Sequence, residues 1–219
     1  AGSGTGIAPR RFSPLVPGDE ARRRLGLENV AGLIIGFVGR LTNDKGVGDL
    51  LRAFDIVRSD HPGARLVLVG APEDGDRLPI EATERIARGD GVVSTGWLDD
   101  PVPLLTGFDV LAFPSYREGL PNVPLEAQLS GVPVVGYAAT GTVDAVDDGR
   151  SGLLVSVGDV AGLAESLTSM TDDAVRRRMG DHGRRWVTAN FSQQRIWSEL
   201  LDVYRPQPLA GARTDGAAS

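Results

Sequence analysis

Residues 113–133 read FPSYREGLPNVPLEAQLSGVP, and the order of residue types in them decides the fold. The apolar run Asp109 to Phe113 leads in as a buried strand. A Pro/Gly-rich turn follows it, and an amphipathic helix follows the turn, ending at Gly131 before the next apolar run. Glu118 stands in the loop at the carboxyl end of the strand, and Glu126 stands one turn into the helix, so the two carboxylates can face one pocket. Asn122 reads as the N-cap, and Pro124 falls in the first turn, where its missing N–H costs nothing. The free amides of that turn, backed by the positive end of the helix, make an anion site.

The same alternation runs through the rest of the chain. Leu33–Gly39 (LIIGFVG) and Arg65–Gly70 (RLVLVG) are continuous apolar runs, as expected for strands buried on both faces of a parallel sheet. Between them Val47, Leu50, Leu51, Phe54 and Val57 form one helical face. A helix over Ile80–Ala87, a short strand at Val92–Ser94 and a short helix at Val102–Leu105 lead to the strand at Val110. Val132–Tyr137 and Gly152–Val155 supply two more strands, with residues 138–151 read as a loop. Helices are expected over Val160–Ser169, Asp172–Asn190 and Gln193–Tyr204. Six strands alternating with helices predict a Rossmann-like, doubly wound parallel sheet with helices on both faces, in the order 3-2-1-4-5-6. Residues 1–30 read as an interdomain linker with a short helix at Glu20–Leu27, residues 31–205 as one Rossmann-like domain, and residues 206–219 as a disordered tail.

Composition removes several function classes. With 29 acidic against 23 basic residues the formal charge is −6, which argues against nucleic acid as a partner. There is no cysteine, so disulfides, thiolate chemistry and Cys-ligated zinc are excluded. His61 and His182 are far apart in sequence, and no metal site is expected; His61, in a helix-ending Asp-His-Pro, reads as a solvated cap. No apolar run reaches the length of a membrane span, and a cytoplasmic location is expected.

In the expected strand order the first and fourth strands are neighbours, and ligands bind in the crevice outside their carboxyl ends. Two loops reach that crevice: Gly39–Gly46, with Arg40 and Lys45, and Ser115–Asn122, with Glu118. Phosphates at one part of a ligand and hydroxyls at another would suit this equipment, which is the layout of a nucleotide sugar. Arg40 would hold the diphosphate through its planar fork and Lys45 as a point charge. Glu126 would accept ribose hydroxyls and Glu118 sugar hydroxyls.

GRLTNDKG, REGLPNVPLEAQLSGVPVV and TGTVDAVDDGRSGLLV together resemble the C-terminal, donor-binding domain of retaining glycosyltransferases of the GT-B fold, in glycosyltransferase family four. The resemblance runs from about Phe12 to Tyr204. It implies a hexosyltransferase that takes a hexose from a nucleoside diphosphate sugar, with UDP the first choice, to a saccharide or lipid-linked acceptor in polysaccharide biosynthesis, without a metal. The family's roles fall on Arg40 and Lys45 for the diphosphate, Glu118 for the hexose and Glu126 for the ribose, with Arg40, Lys45 and Glu118 counted as catalytic. Loop amides at Gly119, Leu120, Asn122 and Val123 would add sugar and phosphate contacts. Two positions depart from the family pattern: Pro121, often glycine, removes one N–H, and Asp144 stands where many members have Glu. The resemblance further implies that the acceptor-binding N-terminal half is missing here, so this chain alone would bind donor and transfer nothing.

Blander readings stand beside these. Arg40 and Lys45 are also what solvated loop charges look like, Lys45 being paired to Asp44 or Asp49. Trp97 either flanks the base or packs half-buried, and Trp186 and Trp197 read as core. Arg176-Arg177-Arg178 reads as a solvated surface, with a peripheral membrane contact of the full-length protein left open. A nicotinamide-dependent dehydrogenase would share the sheet, but Gly39-Arg40-Leu41-Thr42 lacks the glycine spacing that a dinucleotide needs. A non-catalytic nucleotide-binding or interaction domain of Rossmann type is the remaining alternative.

Overall fold

The structure, a computed structural model, describes residues 7–8, 12–13, 15–193 and 197. Its centre is a sheet of six parallel strands: β1 (Ile34–Val38), β2 (Arg65–Val69), β3 (Val92–Gly96), β4 (Val110–Phe113), β5 (Val134–Tyr137) and β6 (Gly152–Val155). Their order is β3-β2-β1-β4-β5-β6, as the alternating pattern predicts. The order reverses direction at β1 and β4, which pair through Ile35 with Val110 and Gly36 with Leu111.

Successive residues of one strand go to opposite layers, which is why the strands read as unbroken apolar runs. Ile35 and Phe37 join one core, with Leu66, Leu68, Val110 and Ala112, under α2 (Val47–Asp60), α3 (Ile80–Ala87) and α7 (Val160–Ser169). Ile34 and Val38 join the other, with Val67, Val69, Leu111 and Phe113, under α4 (Val102–Leu105), α5 (Asn122–Leu129) and α8 (Asp173–Asn190).

At the amino ends of the strands, Asp109 ties the layers together. Its carboxylate accepts from the Ile34 amide at 2.8 Å and from Arg22 Nη2, on α1 (Gly18–Arg24), at 3.0 Å. Arg176 Nε of α8 lies 3.5 Å from the same carboxylate, so Arg176 is not the solvated charge expected of it. Arg177 and Arg178 are exposed, and Arg177 pairs with Asp173 at 2.5 Å.

Elsewhere the structure differs from expectation in three places. A four-residue helix, α6 (Thr142–Ala145), sits inside the expected loop; it is too short to show a helical period in sequence. Trp197 is half exposed instead of buried, whereas Trp186 packs on Phe191 with ring centroids 5.1 Å apart. The short helix expected at Glu20–Leu27 begins earlier and stops at Arg24. Apart from Gln193 and Trp197, the helix expected over Gln193–Tyr204 lies outside the described residues, as does the tail 206–219.

Candidate functional site

Two loops meet outside the carboxyl ends of β1 and β4 because the backbone of one fits against the other without side chains between them. Gly46, the N-cap of α2, has φ +67, and a Cβ there would stand 2.1 Å from the carbonyl oxygen of Pro114. Only glycine adopts that conformation readily and permits that approach. The Tyr116 amide then donates to the Asp44 carbonyl at 3.0 Å, joining the loops directly.

Lys45 and Glu118 are brought together across this junction. Lys45 Nζ lies 2.7 Å from Glu118 Oε1, with both side chains largely shielded, and 3.9 Å from Asp44. Ser115 Oγ donates to the same Glu118 oxygen at 2.7 Å, and the Glu118 amide donates to the Thr140 carbonyl at 3.1 Å. Lys45 is therefore paired with the carboxylate of the second loop and not with Asp49.

Arg40, on the first loop, is about half exposed, paired with Glu73 and 3.3 Å from Asp44. Its loop is held by the one that follows β2. Leu41 N donates to the Ala71 carbonyl at 2.9 Å, Asn43 Nδ2 to Asp76 at 3.0 Å and to the Arg77 carbonyl at 2.6 Å, and Asp44 N to Asp76 at 2.8 Å. The Asp44 amide, followed by the Asn43 side chain, holds the Asp76 carboxyl below its ordinary range.

On the other side, α5 begins at Asn122, and Pro121 is its N-cap. Asn122 is expected as the cap; it is instead the first helical residue, and Pro121, in the capping position, has no side-chain acceptor to offer. The Asn122 and Val123 amides open the helix, Pro124 having none to offer. Glu126 lies half-buried one turn further on. Gly119 and Leu120 are exposed on the turn between. Trp97, at the carboxyl end of β3, is also exposed, its Nε1 3.4 Å from Asp99. Asp144 is exposed on α6.

Sequence reading missed one cluster. Asp49, buried on the first turn of α2, accepts from the hydroxyls of Tyr116 at 2.7 Å and Tyr137 at 2.6 Å, and from Arg52 at 2.7 Å. The hydrogen bond to Asp49 pushes the Tyr116 hydroxyl above its ordinary pKa; burial, then the same partner, pushes Tyr137 far above it. A carboxylate three residues past Gly46, on an otherwise apolar helical face, was the available signal.

A cavity of about 560 Å³ lies at the opposite, amino-terminal end of the strands, beside Arg22, His61, Asp109 and Arg176. Three of its charged groups, Arg22, Asp109 and Arg176, are those that clamp α1 and α8 to the strands.

A family model described as "Glycosyl transferases group 1" matches residues 32–173. The capsular polysaccharide biosynthesis glycosyltransferase CapM of Staphylococcus aureus is 34% identical over 172 residues, which are 78% of this chain and 45% of that protein. The D-inositol 3-phosphate glycosyltransferase of Salinispora arenicola is 36% identical over 217 residues, with 91% of this chain and 48% of that protein covered. Among solved structures, Anabaena HepE in complex with UDP superposes with a TM-score of 0.79 at 25% identity, over 90% of this chain and 55% of that one. The chain thus spans about half the length of these relatives. Because the matched segment takes in the strands and both loops of the crevice, the chain belongs to the group 1 glycosyl transferases, as a Rossmann-like half of a GT-B architecture.

Proposed function

We propose that the crevice between the loops after β1 and β4 binds a nucleoside diphosphate sugar, with UDP as the nucleotide, for retaining hexosyl transfer of the family-four kind. The observation that carries this reading is the pairing of Lys45 with Glu118 at 2.7 Å, which puts a cation and a carboxylate side by side at the switch point of the sheet. In this reading Arg40 and Lys45 face the diphosphate, the Asn122 and Val123 amides add donors, Glu126 takes the ribose hydroxyls and Glu118 the hexose. The complex of HepE with UDP supports UDP as the nucleotide.

Chemically, departure of the diphosphate leaves negative charge on its oxygens. Fixed donors aimed at that charge lower the barrier without reorganising. Arg40, Lys45 and the start of α5 supply such charge and dipole from the protein, so the reaction is proposed to proceed without a metal. The acceptor, a saccharide or a lipid-linked sugar, is proposed to be held by a second domain across the cleft. Transfer needs both reactants held in near-attack geometry, worth up to about 7–11 kcal/mol, and a half-cleft open to water does not provide that.

Calorimetric titration with UDP, GDP, ADP and NAD tests the reading. UDP should bind, and Arg40→Ala should weaken it by about 1.5–3 kcal/mol, the range for a hydrogen bond to a charged group. Equal binding of UDP by parent and variant, or preference for NAD, would remove the assignment.

A further inference from the structure

Asp49 is only 6% exposed and lies outside the proposed donor contacts, yet three side chains converge on it. A buried carboxylate is costly unless its oxygens are satisfied. Here Oδ2 takes the hydroxyls of Tyr116 and Tyr137, and Oδ1 takes Arg52. The two rings meet edge to face, with centroids 5.8 Å apart. Each partner belongs to a different part of the crevice. Asp49 lies on the first turn of the helix that follows the Lys45 loop, Tyr116 stands two residues before Glu118, and Tyr137 ends the strand that leads to Thr140, whose carbonyl receives the Glu118 amide.

Stability alone does not call for this arrangement, because replacing both partners of a buried hydrogen bond by apolar groups of similar shape is nearly neutral. What apolar packing does not supply is direction. The bond to Asp49 ties down the hydroxyl end of the Tyr116 ring, and the Tyr116 amide is at the same time bonded to the Asp44 carbonyl. The raised hydroxyls of both tyrosines remain donors over the whole neutral range.

We propose that Asp49 is a positioning residue for the donor site: by holding Tyr116 and Tyr137 it sets the Glu118 loop in register with Lys45. The inference rests on the donor-site reading above, but its first test does not. Tyr116→Phe deletes one hydroxyl from a half-exposed ring and leaves the Tyr137 bond and the fold in place. In the ligand-free variant the amides of Tyr116 and Glu118 should exchange with solvent about tenfold faster, while those of β1 and β2 keep their parental rates. Unchanged exchange at Tyr116 and Glu118 overturns the lock, even if the parent binds no nucleotide and the donor-site reading has failed.

The second test uses UDP and whichever of UDP-glucose, UDP-galactose and UDP-N-acetylglucosamine the parent binds best. Tyr116→Phe should weaken the sugar nucleotide by about tenfold and UDP by no more than about twofold. The losses from Asp49→Asn and Tyr116→Phe should be less than additive in the double variant, because one acts through the other. A merely structural role would weaken UDP and its sugar conjugate alike, and that result, or full additivity, would overturn the positioning role.

Discussion

Lys45 Nζ and Glu118 Oε1 lie 2.7 Å apart, although the residues are 73 positions apart in the chain and belong to loops from different strands. The pair neutralises both charges, so each proposed ligand group has to take one partner from the other. Glu118→Ala should therefore leave UDP binding intact or slightly stronger, since Lys45 is released, while the UDP-sugar is weakened. Glu126→Ala should weaken both ligands alike if that residue holds ribose. Titrations of the two variants with the two ligands separate these roles, and equal losses throughout would take the hexose from Glu118.

Arg40 is shared in the same way, but at the surface. Its partner Glu73 is about as exposed as Arg40 itself, so their pairing is worth about 0–1 kcal/mol and competes only weakly with a diphosphate. Glu73→Gln should tighten UDP by up to about fivefold, which is that energy returned to Arg40. A weaker affinity in Glu73→Gln would show instead that Glu73 orients Arg40 for the ligand.

The sheet was legible because Ile34 and Ile35, or Val67 and Leu68, are adjacent in sequence and buried in different layers, which writes an unbroken apolar run into the chain. The two loops of the crevice were legible for the same reason, as the polar segments where those runs stop. Which acid meets which cation was not, because that depends on how closely Gly46 lets its loop approach Pro114. Asp49 shows the limit most clearly. Its tyrosine partners lie 67 and 88 residues away, and no local period carries such a contact. Asn122 misled for a local reason: asparagine favours caps, but the helix begins one residue earlier than that reading requires, with Pro121 in the capping position.

Acid should loosen the Arg40 loop at a definite point. Asp76, which holds Asn43 and the Asp44 amide, has its folded pKa lowered below the ordinary 3.8, chiefly by that amide. A depressed carboxyl contributes in full above its unfolded pKa and loses the contribution as pH falls through the folded value. The latch should be indifferent to pH between about 5 and 8 and release only below the ordinary carboxylate range. In an NMR titration the Asp76 carboxyl carbon and the Asp44 amide should move together, with a midpoint under 3.8. A midpoint at or above that value would mean that Asp76 does not hold the loop.

Gly141 supplies the sharpest steric test of how the Glu118 loop is seated. Its φ is +79, and a Cβ there would stand 1.4 Å from the Gly119 carbonyl oxygen and 2.9 Å from that of Glu118. Gly149 has nearly the same φ, +74, with nothing within 4 Å of the added carbon. Gly149→Ala thus carries only the left-handed strain of an L-residue, about 1–2 kcal/mol. Gly141→Ala, at φ +79 and ψ −35, carries backbone strain of at least that size and must also push two loops apart, breaking the bond from Glu118 N to the Thr140 carbonyl. Its cost in urea unfolding should exceed that of Gly149→Ala by about 1–3 kcal/mol, the usual range for overpacking. The folded fraction of Gly141→Ala should also lose UDP-sugar affinity more than UDP affinity, because the displaced group is the one proposed to face the hexose. Equal costs for the two substitutions would mean that the loop after β5 does not seat Glu118.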